Sequence, residues 1–100
     1  MPTVYVTAPD DAAEEIAATL VEERLAACVN AVDCHSTYRW DGRVETDSET
    51  ILLAKTTDAG YDRLKARIEA LHPYDVPCIE RFDATDTLDR FGSWIDDTVD

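Results

Sequence analysis

A chain of 100 residues with 45% hydrophobic side chains is long enough for one domain, 1–100, with a modest core. Its 22 acidic residues against 9 basic ones leave a formal charge of −13 at pH 7, a field that repels phosphate backbones and anionic lipid and argues against nucleic acid and membrane as partners. No apolar run approaches the ~18 residues of a membrane span and no secretory leader pattern opens the chain, so the expected compartment is the cytoplasm; three cysteines, an odd number, argue against a disulfide framework. The carboxylates are spread along the chain, which favours a solvated halophilic surface over a dedicated cation-attracting patch. At molar salt, where the Debye length is about 3 Å, their mutual repulsion is largely screened.

Thr3 to Ala8 is β-branched and aromatic, with Val4 and Val6 on one face and Tyr5 on the other, and reads as a strand. Pro9 ends it, and Asp10 or Asp11 is placed to cap a helix. Ala13, Ile16, Ala17, Leu20, Val21 and Leu25 then recur at helical spacing. From Cys28 the pattern turns extended, with Ser36, Tyr38 and Trp40 on one face. Asp41-Gly42 is the preferred dipeptide of a two-residue hairpin turn. The returning strand ends in Ile51-Leu52-Leu53-Ala54-Lys55, an apolar run without alternation, as expected of a central strand covered on both faces. Thr57 is placed to cap a second helix carrying Tyr61, Leu64, Ile68 and Leu71; Pro73 ends it at His72, and Pro77 marks the start of a fourth strand. Leu88, Phe91, Ile95 and Val99 give the stripe of a last, acidic helix, with Trp94 beside it.

The first six elements, β-α-β-β-α-β, fold most compactly as an α+β, ferredoxin-like split βαβ sandwich with an antiparallel sheet and both helices on one face. The other face is then bare, although the third strand points apolar residues both ways. The pattern therefore predicts that the chain oligomerises through its sheet.

Thr7-Ala8-Pro9-Asp10, Glu23-Arg24-Leu25-Ala26-Ala27-Cys28-Val29-Asn30, Tyr38-Arg39-Trp40-Asp41-Gly42, Leu53-Ala54-Lys55-Thr56-Thr57 and Leu71-His72-Pro73-Tyr74-Asp75-Val76-Pro77 occur in the order found in the CutA divalent-cation tolerance family, which the chain resembles over nearly its whole length. The resemblance implies a homotrimer in which long hairpins pair between subunits, an architecture similar to the PII signalling proteins, and a role in tolerance of divalent metals, copper above all. The chain departs from the family pattern at Asp33-Cys34-His35, where relatives carry Pro-Gly and an aliphatic residue. Copper-binding bacterial members carry Cys before Thr-Ala-Pro and a His-His pair before Pro-Tyr. Val6 and Leu71-His72 stand at those places, so His72 is the one metal-ligand candidate the resemblance leaves.

Independent of the resemblance, His72 also suits a helix C-terminus, where its ring can bond a free carbonyl. Cys28 and Cys34 share strand parity but lie about 20 Å apart at ~3.3 Å per residue, and Cys34 and His35 point to opposite faces unless a bulge intervenes. No short Cys/His spacing supplies a copper or zinc centre. Lys55 ends an apolar strand and either pairs with a carboxylate or presents its charge to an anionic ligand in an intersubunit cleft, while Tyr38 and Trp40 either pack between subunits or face that cleft. No phosphate-cradling glycine loop, nucleophile elbow or HExxH motif is present. Taken with the resemblance, which implies the trimer and the association with divalent metals, the expectation is a non-enzymatic trimer that needs no cofactor and associates weakly with divalent cations such as copper or zinc. The alternative is a PII-like module that binds a small ligand in the intersubunit cleft and signals to a protein partner.

Overall fold

Alternation sets the first strand: in β1 (Pro2–Ala8) Val4, Val6 and Ala8 are fully enclosed, while Thr3, Tyr5 and Thr7 lie half-buried on the opposite face. A computed structural model describes residues 1–100, and after β1 the elements run α1 (Asp10–Glu22), β2 (Cys28–Trp40), β3 (Arg43–Lys55), α2 (Tyr61–Leu71), β4 (Cys78–Asp83) and α3 (Asp89–Thr98). The strands form one antiparallel sheet in the order β2-β3-β1-β4. This is the ferredoxin-like split βαβ arrangement with an added C-terminal helix.

β3 is an interior strand, as its unalternating run predicts. Leu52 and Ala54 are enclosed beneath the helices, and Ile51, Leu53 and Lys55 stand half-buried on the open face. Val4, Val6, Leu52 and Ala54 from the sheet pack with Ile16 and Leu20 of α1 and Leu64 and Ile68 of α2 in one core. Ile95 of α3 and Val99, just past its end, form a smaller cluster with Ala27.

The β2–β3 hairpin is longer than the sheet that carries it. Its register is unbroken from Cys28 opposite Lys55 to Trp40 opposite Arg43, so no bulge alters the parity at Asp33 to His35. Asp41 (φ 51°) and Gly42 (φ 75°) both take the left-handed conformation that a type I′ turn requires. β1 pairs with β3 only as far as Ala8 opposite Thr50. Beyond that point the hairpin projects as a two-stranded arm, which stretches the molecule to 45 × 25 × 20 Å.

Several local expectations give way to longer-range contacts. Neither Asp10 nor Asp11 caps α1, whose N-cap is Pro9. The Asp10 carboxylate instead accepts hydrogen bonds from the Thr50 (2.7 Å) and Ser48 (3.2 Å) hydroxyls and ties the start of α1 to β3. Thr57 Oγ1 accepts from the Gly60 N–H at 3.0 Å, so it caps the turn that precedes α2 and not the helix itself. Val21 is exposed, as are Leu88, Phe91 and Trp94, because nothing in the chain lies over that side of α1 or the first half of α3. Only Ile95 and Val99 of the last stripe are buried.

Candidate functional site

α2 stops where Pro73 forces the preceding residue out of helical geometry, and His72 is extended (φ −75°, ψ 135°). That backbone swings the imidazole inward until it is 7% exposed. His72 Nε2 lies 2.8 Å from the Thr7 carbonyl oxygen of β1, and Nδ1 lies 3.1 Å from the Tyr74 backbone nitrogen. A carbonyl only accepts and a backbone N–H only donates, so the partners dictate one neutral tautomer, with the proton on Nε2 and the Nδ1 lone pair taken by Tyr74. A metal would need that lone pair. His72 is therefore built as the clamp of the α2–β4 turn, and the ligand role implied by the resemblance does not fit its geometry.

The other candidate ligands do not assemble around an ion either. No three His, Cys, Asp or Glu side chains within the chain are placed to hold one. Cys34 contacts the Ser36 hydroxyl at 3.9 Å, and the Cys78 thiol points to Glu80 at 3.7 Å. His35 is exposed on the opposite face of β2 from Cys34. All three cysteines are free and half-buried.

The clamped turn faces the hairpin arm. Between them lies a cleft of 520 Å³ lined by Ser36, Tyr38 and Trp40 of the arm and by Tyr74 and Asp75 of the turn, among others. Tyr38 and Trp40 thus meet as their parity predicts. Within one chain Lys55 stands at the opposite end of the ladder, twelve residues from the partner of Trp40, or about 40 Å at ~3.3 Å per residue. Its ammonium donates to the Thr3 hydroxyl (3.4 Å), with no carboxylate in salt-bridge range.

Two carboxylates behind the cleft were not visible as site residues in the sequence. The Tyr38 hydroxyl donates to Asp47 at 2.5 Å, and the Tyr74 hydroxyl donates to Glu49 at 3.1 Å. Glu49 is only 4% exposed, enclosed between the turn and the sheet. The hydrogen bond to Asp47 holds the Tyr38 phenol up at about 12, and burial followed by the bond to Glu49 does the same for Tyr74. A phenol whose ionisation is suppressed by folding retains its proton longer in the native state than in the unfolded chain. Its contribution to stability is complete below pH ~10 and is lost as pH rises towards ~12. Tyr74→Phe is expected to flatten the fall in stability over that interval while leaving the neutral-pH slope unchanged. Urea midpoints taken from pH 8 to 12 measure this, and an alkaline limb identical to that of the parent would contradict it.

A ferredoxin-like sandwich with an open sheet face, an overlong β2–β3 arm and a short helix appended after β4 defines the structural class. The sequence matches the family model described as CutA1 divalent ion tolerance protein over residues 2–98, and the chain belongs to that family. It is 42% identical over 93 residues to the divalent-cation tolerance protein CutA of Pyrococcus horikoshii, covering 92% of this chain and 91% of that one. The divalent cation tolerance protein (Cut A1) of Thermus thermophilus superposes with a TM-score of 0.93 at 43% identity, over 100% of both chains. A PII-like protein CutA from Nostoc superposes with a TM-score of 0.92 at 35% identity, over 95% of this chain and 93% of that one.

Proposed function

We propose that the chain works as a homotrimer in divalent-metal tolerance, copper above all, through weak association with divalent ions and without a resident cofactor or a catalytic step. The observation that carries the assembly is the open sheet face: Val32, Trp40 and Phe82 on it are 48%, 55% and 53% exposed, beside the half-buried Tyr5, Ile51 and Leu53. A second copy laid on that face removes several large side chains from water, at roughly 25 cal/mol per Å². The outer edge of β2 and the projecting arm offer unpaired backbone groups for strand pairing between copies. The charge of −13 suits a salt-rich cytoplasm, where screening lets three such chains approach.

Light scattering in molar KCl is expected to return three times the 11.2 kDa chain mass; a monomer at that salt would remove the assembly. Calorimetric titration with Cu(II) and Zn(II) is expected to give weak binding that His72→Ala leaves unchanged. A clear loss of affinity in the folded variant would restore His72 as a ligand.

The cleft beside the arm favours a second reading, that of a module which binds a small molecule and reports it to a protein partner. Its volume lies within the ~300–1,000 Å³ of small-ligand sites, and the Nostoc relative is described as PII-like. A thermal-shift screen of nucleotides and metabolites tests this reading, and the absence of any stabilising compound would count against it.

A further inference from the structure

We propose that Asp33 and His35, at the root of the β2–β3 arm, chelate one divalent transition-metal ion of the copper and nickel kind; the inference rests on the divalent-ion reading of the chain and names where an ion sits.

The two residues stand two apart on β2, so their side chains leave the same face, with Cβ atoms about 7 Å apart. An ion about 2 Å from an imidazole nitrogen and about 2 Å from a carboxylate oxygen bridges that gap once the side chains lean together. Both residues are exposed and neither belongs to a salt bridge, so nothing in the chain opposes that movement. His35 differs in this from His72, whose two ring nitrogens are both taken by backbone groups.

The strand register shows what surrounds the pair. His35 lies opposite Ser48 and Asp33 opposite Thr50, and both hydroxyls donate to the Asp10 carboxylate, at 3.2 and 2.7 Å. Those bonds put Asp33 and His35 on the side of the sheet that carries α1 and bring a second carboxylate behind them. With its proton given to Asp10, the Ser48 oxygen can only accept, which suits a water retained by a bound ion. The positive end of α1 opposes a cation here, but Asp10 and Asp11 stand in its first turn and offset a macrodipole worth about half a charge. The same-face neighbours of His35 are Asp33, Thr37, Thr46, Ser48 and Thr50, none of them cationic.

An imidazole beside a carboxylate selects copper, nickel or zinc over magnesium or calcium, which take oxygen donors. Cys34 lies between the two ligands in sequence but on the opposite face, so its thiol takes no part. No third His, Cys, Asp or Glu side chain is placed to complete the set, and water fills the remaining positions, which keeps the binding weak. The site faces away from the open sheet surface, and strand pairing along the β2 edge would use backbone groups, so assembly through either leaves these two side chains available. Asp33-Cys34-His35 is also where the chain departs from the family pattern, so the pair belongs to this chain in particular.

Calorimetric titration of the assembled protein with Ni(II) at neutral pH tests the proposal, since nickel accepts imidazole as copper does and is not reduced by the three free thiols. His35→Ala is expected to lower Ni(II) affinity about tenfold or more, because changes even to outer-shell partners of a metal cost ~10–100-fold. Asp33→Asn should lower it several-fold, and Cys34→Ser should leave it unchanged, all three at the parent's light-scattering mass. Ni(II) bound by the parent and equally well by His35→Ala would overturn the site and leave the divalent-ion reading standing. No binding of Ni(II), Cu(II) or Zn(II) by the parent at millimolar concentration would overturn both. A change of mass in His35→Ala would overturn the site by showing that the imidazole packs between copies.

Discussion

His72→Ala is expected to destabilise the protein by about 2–4 kcal/mol, a large share of the ~5–15 kcal/mol that holds a domain of this size together. The imidazole is 7% exposed and engages two backbone groups from different elements, the Thr7 carbonyl of β1 and the Tyr74 N–H of the turn. Truncation removes both partners at once and leaves a void where the ring lay, and the loss of each buried hydrogen bond costs about 1–3 kcal/mol where water does not replace it. The effect should extend to the cleft, because Tyr74 is positioned by that clamp and its ring lies 5.0 Å from the imidazole. A guanidinium titration measures the loss. His72→Gln, which supplies one donor and one acceptor on a flexible stem, should recover part of it. A cost below about 0.5 kcal/mol, the scale of an ordinary surface substitution, would show that the imidazole is not a structural clamp.

The inward-facing imidazole illustrates what the sequence carries and what it does not. Strand parity placed Tyr38 and Trp40 on one face, Asp41-Gly42 marked the type I′ turn, and the apolar run of β3 marked an interior strand with an uncovered side. Each of these depends on neighbours along the chain or on a period of two. The failures depend on distant partners. Asp10 has the composition of a cap but lies within reach of Thr50, forty residues away, whose hydroxyl takes the carboxylate instead. Glu49 sits in a polar run between Glu45 and Thr50 that gives no sign of burial, because the turn that covers it arrives from residue 74. The apolar stripe of α3 was legible as a helix face, but which half of it finds a partner is decided by where the helix docks, and only Ile95 and Val99 reach the body.

Leu52 and Leu53 adjoin in sequence and separate in function, and substituting each by alanine divides folding from assembly. Leu52 is 1% exposed in the core cluster, held on one side by β1 through Val6 and on the other by β2 through Ala31. Two paired strands cannot close the void, so Leu52→Ala is expected to cost about 2–5 kcal/mol, as buried Leu→Ala changes do where the site relaxes little. It should leave the association of folded chains unaltered. Leu53 points the other way, half-buried between Tyr5 and Asn30 on the open face. Within one chain it loses less on truncation, because part of its surface is already in water. If the open face is where copies meet, Leu53→Ala removes apolar contact from the interface, and dissociation on dilution begins at a higher protein concentration than for the parent or for Leu52→Ala. Denaturant midpoints measure the first effect, and light scattering across a dilution series in molar KCl measures the second. Dissociation curves for Leu53→Ala that overlay those of the parent would place the contact between copies elsewhere, with the β2 and β4 edges and the projecting arm among the surfaces able to supply it.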